Sequence, residues 1–389
     1  MKKIILILVF FTFGGISLYS TSQSISENLN PNFDFSSLEQ FWEIVDTLKS
    51  DKDPTTEQWD SLITTPGYAT LIGREISRKS FVKILKLSYM PSKSKELEKT
   101  LSSDKNSGRV KMMLNTFVKV DDMRDKIKSK VQELKEFPFT EKAVEEALKY
   151  LPENKVKEYP PVSFLIWGLG SRGYSPVIIT MEDVVEITND LITTDIQKKI
   201  ERSGFTKNRM LILGMGHEFF HFYRDKKLEF EFPDYENSDY DIIWTINQIE
   251  NEGIADQINI RQLFIDSDFL YDTEYPEMIH QEQKEQPKLL QKLDSLFTEI
   301  YEKPETKEEL GEKIRMMVPR SGHPTGFYMA NLIIEKFGKE PLINVVRNPF
   351  AFFYLYNKAA KKDGKAPIFS DKSINFIKTL EIKYSKSLK

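Results

Sequence analysis

Cysteine is absent from the 389 residues, which excludes disulfides, cysteine nucleophiles and every thiolate metal site. Histidine is scarce: the four stand at 217, 221, 280 and 323, and any imidazole chemistry must draw on them. Charge of neither sign dominates, with 55 Lys and Arg against 59 Asp and Glu for a net −4, and there is no strongly basic block. A nucleic-acid binder would carry a basic stripe, so nucleic acid is not an expected partner. The apolar run Ile4–Leu18 is too short for a membrane span, which needs ~20 residues. What remains is an ordinary globular composition, 40% hydrophobic and 29% charged, long enough for two or three structural units.

Lys2 and Lys3 ahead of that apolar run, with small residues after it, give residues 1–22 the pattern of a signal peptide. Ser20 and Ser22 fill the positions a signal peptidase reads, leaving Gln23 as the new N-terminus; an uncleaved anchor is the alternative. No cysteine follows the run, which excludes a lipid-anchored form. Loss of Lys2 and Lys3 moves the net charge from −4 to −6. The expected product is exported, periplasmic or secreted, mildly acidic, and without a membrane segment after cleavage. Lacking disulfides, it must depend on its core or on bound metal for stability.

Residues 23–34 read as a short flexible leader. Apolar residues at three- and four-residue spacing (Leu38, Phe41, Trp42, Val45, Leu48) then predict helices as far as about Tyr150, so residues 23–157 are expected to form a helical N-terminal region. The texture changes at Tyr159. Val162–Trp167 and Pro176–Thr180 read as short strands separated by the glycine-rich turn Gly168–Ser175. A helix before Gly204, one from about Asn208 to Asp225 and one from about Asp239 to Phe264 complete an expected core over 158–270. Residues 271–389 read as a helical C-terminal region, with helices at Lys288–Tyr301, Thr306–Met317, Thr325–Phe337, Pro341–Ala360 and Lys372–Tyr384. The fold class is α+β, dominated by helices.

Residues 217–221 are His-Glu-Phe-Phe-His. On a helix, positions i and i+4 share a face, so His217 and His221 can turn a ring nitrogen to one ion. Glu218, beside the first ligand, is placed to hold and deprotonate a water at that ion. The neighbouring Leu211-Ile-Leu, Phe219 and Phe220 would bury the rest of the helix. Gly214 and Gly216 each cost ~1 kcal/mol of helix stability relative to alanine, which close approach of another backbone would offset.

A third ligand must come from elsewhere. Arg224 and Lys227 occupy the positions where a metzincin-type site needs Gly and His, and the lack of cysteine excludes a His/His/Cys site. Asn251-Glu-Gly-Ile-Ala-Asp256 supplies a carboxylate: Glu252 would complete a two-His, one-Glu site with an open position for water. Asp256, one helical turn on, could accept the second ring N–H of a ligand histidine.

On His217-Glu218-Phe-Phe-His221 and Glu252-Gly-Ile-Ala-Asp256 the chain resembles the gluzincin clan of zinc metallopeptidases, the thermolysin-like group. Within it the chain looks most like exported bacterial families assigned to zinc-dependent peptidases. The resemblance implies one Zn2+ per chain on His217, His221 and Glu252, with Glu218 as general base and Asp256 orienting a ligand. It also implies a small sheet whose edge strand lies next to the metal helix and pairs with an extended peptide, which points to Gly168–Ser175 and Val177–Thr180. The spacer between the motifs is longer than in thermolysin and contains the acidic, aromatic stretch Leu228–Asp241. That stretch reads as a solvated loop, the alternatives being a basic-substrate subsite or a calcium loop.

Hydrolysis of a peptide bond creates a negative tetrahedral intermediate that needs a donor. His323, at the start of a helix that Pro324 is suited to open, is the first candidate, as a neutral donor. Tyr328 competes, and Tyr174 is a weaker candidate; His280, among polar residues, reads as surface. The expected function is zinc-dependent hydrolysis of peptide or protein substrates. The alternative is an exported peptide- or protein-binding protein on an inactive peptidase scaffold, against which Glu218 argues, since a pure metal scaffold needs no base there.

Overall fold

Val162–Leu165, buried at every position, is the middle strand (β2) of a three-stranded parallel sheet. It pairs with β1, Phe33–Asp34, in the register Phe33↔Val162, and with β3, Val177–Thr180, from Val162↔Val177 to Leu165↔Thr180. Full burial of β2 and β3 fits a parallel sheet covered by helices. The computed structural model of the chain describes residues 29–103, 108–189, 206–258 and 274–386. The expected signal peptide, the helix before Gly204 and the stretch up to Phe264 therefore fall wholly or partly outside the described residues.

Around the sheet the described residues are mostly helical, as their periodicity predicts. One connected apolar core runs from Leu38 to Tyr384 and takes in both the early helices and the C-terminal ones. The leader expectation fails for residues 29–34. Asn30 is fully buried and its side-chain amide donates to the carbonyls of Leu134 and Phe137, 2.7 Å each, while its oxygen accepts from the Thr140 amide at 3.0 Å. A polar Asn-rich stretch looks like a linker in sequence; here its side chains serve backbone groups at the end of one helix and the start of the next.

One other expectation needs correction. Pro341–Ala360 is two helices, Lys339–Ile343 and Pro349–Asp363, because Arg347 between them takes a left-handed φ of 80° and Pro349 opens the second. β3 is the edge of the sheet, as expected, bridged at one position on its outer side. Arg172 donates its amide to the Ile178 carbonyl at 2.9 Å and accepts from the Ile178 amide at 2.8 Å, so the turn after β2 folds back antiparallel along it.

That fold-back carries the outer margin of the sheet to the helix Lys207–Asp225, which bears the His-Glu-Phe-Phe-His motif. In an antiparallel pair, the residues flanking a hydrogen-bonded one turn their amide and carbonyl groups away from the partner strand. Gly173 is such a residue. A Cβ there would stand 2.3 Å from the His221 Cβ and 2.7 Å from the Glu218 carbonyl, so only glycine lets the turn lie against the motif helix.

Candidate metal centre

Thr206 caps the motif helix by accepting from the Arg209 amide at 3.1 Å. Its opposite face packs on the helix Phe139–Leu148, where a Cβ at Gly216 would meet the Glu146 Cβ at 3.0 Å and the Ala143 carbonyl at 3.2 Å. Close approach thus accounts for Gly216. Nothing among the described residues lies within 4 Å of a Cβ at Gly214, so packing gives that glycine no reason.

The second helix of the centre is Tyr240–Ala255, buried along most of its length. A buried ion pair fixes its register against the motif helix. Arg224, fully buried, donates through Nε to Glu250 Oε2 at 2.9 Å and through a terminal nitrogen to Asn247 Oδ1 at 2.7 Å. Glu250 Oε1 in turn accepts from the Arg347 amide at 3.0 Å. Arg224 is one turn beyond His221 and Glu250 two residues before Glu252, so this pair sets how the imidazoles and the Glu252 carboxylate meet.

They meet as the spacing requires. His217 Nε2 and His221 Nε2 are 3.0 Å apart, and Glu252 Oε2 is 3.5 Å from the first and 3.3 Å from the second. One ligand atom from each residue lies within 4.8 Å of the others, and all three side chains are buried. Glu252 Oε2 is buried, ringed by imidazole nitrogens and hydrogen-bonded to none of them. An orphaned carboxylate oxygen costs free energy unless something cationic takes its lone pairs. Burial pushes the His221 imidazolium pKa down, but the Glu252 carboxylate and then Glu218 lift it to about 10. Burial likewise pushes Glu252 up, yet the His323 and His221 charges hold it well below the usual carboxylate range. The field that favours a proton on His221 favours a divalent cation equally. Two imidazoles and one carboxylate are a donor set that fits a catalytic zinc.

Glu218 is not one of the grouped ligand candidates. It is half-buried, and its charge reaches both His221 and Arg172 of the glycine-rich turn. Asn251 was not singled out from sequence: its Oδ1 lies 2.8 Å from His221 Nδ1, so it takes the second ring N–H of that ligand. The signal was present, next to Glu252 in the quoted motif. Asp256, fully buried, faces His217 Nδ1 at 3.6 Å and approaches His323 Nδ1 more closely, at 3.0 Å.

His323 is brought to the centre by the third helix, His323–Phe337. This helix crosses the Glu252 helix at Gly253 and Gly326 with no space for a side chain: a Cβ on Gly326 would lie 1.9 Å from the Ile249 carbonyl oxygen. Three successive residues ahead of it, Arg320, Ser321 and Gly322, have φ of 45°, 52° and 97°. Strain of this kind persists where the surroundings over-determine it. Here Arg320 pairs with Glu282, Gln283 donates to the Pro324 carbonyl at 3.1 Å, and Thr325 donates to Gln286 at 2.8 Å. His323 Nε2 ends 3.2 Å from Glu252 Oε2, with its ring 5.7 Å from that of His217.

The other candidates are not joined to the centre. Tyr328 follows His323 by five residues, ~140° round the helix, and its hydroxyl lies in the field of Asp363 and Glu335 after burial, the main cause of its raised pKa. Tyr174 donates to Glu75 Oε1 at 3.1 Å, with the Arg74 guanidinium 4.0 Å above its ring. His280 lies half-buried on the helix Glu274–Glu302. The acidic stretch is not simply solvated: Asp239 is paired with Lys307 at 2.8 Å and Lys383 at 2.6 Å, and Asp241 with Arg315 at 2.6 Å. Those carboxylates tie down the C-terminal helices.

The family model described as "Putative zinc dependent peptidase (DUF5700)" matches residues 59–365, a span that contains every residue of this centre. No curated protein and no solved structure matches the chain.

Proposed function

Because the chain belongs to the "Putative zinc dependent peptidase (DUF5700)" family, we propose that it is an exported peptidase of gluzincin type that cleaves peptide bonds with Glu218 as general base. The observation that carries the reading is the convergence of His217, His221 and Glu252 on one point, with Glu218 adjacent but outside the ligand set. A scaffold that only stored metal would need no carboxylate there.

The chemistry supplied by zinc is Lewis acidity, which acidifies water and polarises the scissile carbonyl. Glu218 accepts the proton of the attacking water and returns it to the leaving amine. His323, facing the centre through Nε2, is the donor for the negative oxygen of the tetrahedral intermediate. Its Nδ1 contacts Asp256, and a carboxylate only accepts, so Nδ1 carries a proton. To donate from Nε2 as well the ring must be imidazolium, a charge that Asp256 and Glu252 stabilise, in place of the neutral donor expected from sequence. An extended substrate would run along the outward backbone of Gly173, adding a strand to the fold-back segment.

Export rests on Lys2, Lys3 and the apolar run Ile4–Leu18. The test of the function is cleavage of a peptide library by the zinc-loaded protein and by Glu218→Gln. The wild type should cleave and the variant should lose at least 100-fold in kcat while keeping its zinc. Equal cleavage by both would remove Glu218 from the reaction, and stoichiometric zinc with no cleavage by either would contradict the peptidase reading.

A further inference from the structure

The aspartate expected to orient a metal ligand makes its shorter contact elsewhere. Asp256 Oδ2 is 3.0 Å from His323 Nδ1, while Oδ1 is 3.6 Å from His217 Nδ1. The carboxylate is fully buried and closes the C-terminus of the helix that carries Glu252. The rings of His217 and His323 lie within 13° of parallel, each with Nδ1 toward Asp256 and Nε2 toward Glu252. His217 Nδ1 is buried with no hydrogen bond, so a small shift toward Oδ1 is the change that would satisfy it. His221 needs nothing from this carboxylate, since Asn251 already takes its second nitrogen.

From this arrangement we infer that Asp256 is a shared positioning residue, one oxygen steadying the metal ligand His217 and the other committing Nδ1 of His323, so that Nε2 alone faces the substrate. The inference rests on the reading of the centre as a zinc peptidase site. Its consequence is specific. Loss of the carboxylate frees the His323 ring to turn away, and the oxyanion side of the site loses its aim even where all three metal ligands remain. The Gly253–Gly326 crossing explains how one residue serves both rings: no side chain separates the two helices, so the carboxylate at the end of one reaches the first residue of the other.

The full chain contains four histidines, few enough for their ring nitrogens to be resolved one by one by 15N NMR. In the wild-type protein His323 should show a protonated Nδ1, with zinc or without it; a ring protonated on Nε2 alone would overturn the inference without any variant. Asp256→Asn should shift the His323 Nδ1 resonance, because the carboxylate that Nδ1 contacts is gone, and an unchanged His323 pattern in that variant would also overturn it. Kinetics give an independent reading. At saturating zinc, Asp256→Asn should lower kcat more than it raises KM. In a His323→Ala background that loss of kcat should disappear, while a fall of about 10–100-fold in zinc affinity persists in both backgrounds. Losses of kcat that multiply in the double variant would mean that Asp256 acts on turnover through something other than His323. Should no peptide be cleaved by any form, the peptidase reading fails, and the NMR result still decides whether the carboxylate is shared.

Discussion

Replacing Gly326 by alanine adds one methyl group at the point where the helices of Glu252 and His323 touch. That carbon would lie 1.9 Å from the Ile249 carbonyl oxygen, 2.6 Å from the Gly253 Cα and 2.7 Å from the Gly253 nitrogen, all backbone atoms that no rotamer change can move. Ordinary contact begins near 3.4 Å, so the two helices must separate by about 3.4 − 1.9 = 1.5 Å. Forced overpacking of this kind typically costs ~1–3 kcal/mol. The functional effect should be larger in proportion, because a misplacement of ~1 Å can cost ~100-fold in rate. The expected outcome is a folded protein, less stable to urea by about 1–3 kcal/mol, that cleaves peptides with kcat/KM reduced by about two orders of magnitude. Gly214→Ala on the motif helix is the control: its Cβ meets nothing among the described residues, so it should gain up to ~1 kcal/mol of helix stability and keep activity. If Gly326→Ala matched the wild type in urea and in turnover, the helix crossing would not be what aims His323.

Three further outcomes follow from groups around the centre. Arg224→Met leaves the Glu250 carboxylate buried and unpaired, and should cost ~3–5 kcal/mol in urea unfolding; adding Glu250→Leu should recover much of that, and a double variant no better than the single would disprove the pairing argument. Burial, then the Asp183 charge, raises the Glu182 carboxyl to about 8, although it accepts from the Trp167 amide at 2.9 Å and from the Gly168 amide. A raised folded value means stability complete below the unfolded pKa and lost up to the folded one, so unfolding free energy should fall between pH 4.5 and about 8 by at most ~1.4 kcal/mol per unit. Glu182→Gln keeps the acceptor and should remove that part of the slope; identical pH profiles for the two proteins would refute the assignment. Asp256→Ala should weaken zinc binding only modestly, about 10–100-fold by chelator competition, and complete loss of the metal would make Asp256 a ligand.

The parts of the molecule legible in its sequence are those where local pattern and tertiary role coincide. The motif helix and the Glu252 helix begin within a residue or two of where periodicity put them, and the His/His/Glu cluster follows from i, i+4 spacing plus one carboxylate. What was not legible depends on contacts between distant segments. Phe33–Asp34 looks like linker because a two-residue strand has no periodicity and exists only through its pairing with Val162 and Ser163. Nothing in Val177–Thr180 signals that Arg172 returns to bridge its outer side at Ile178. Tyr328 competes with first-ranked His323 as donor in the sequence, and the angle between them on one helix separates them. Asn251 lay inside a quoted motif and Gly326 three residues after His323, but their roles, a clasp on His221 and a helix crossing, require the third dimension.

The most direct test is metal content, measured per polypeptide by plasma mass spectrometry on the purified chain and on Glu252→Ala. One zinc per wild-type chain and near none in the variant, with both proteins folded, is the predicted result. Full zinc retained without the Glu252 carboxylate would show that the ion is held by some other set of residues.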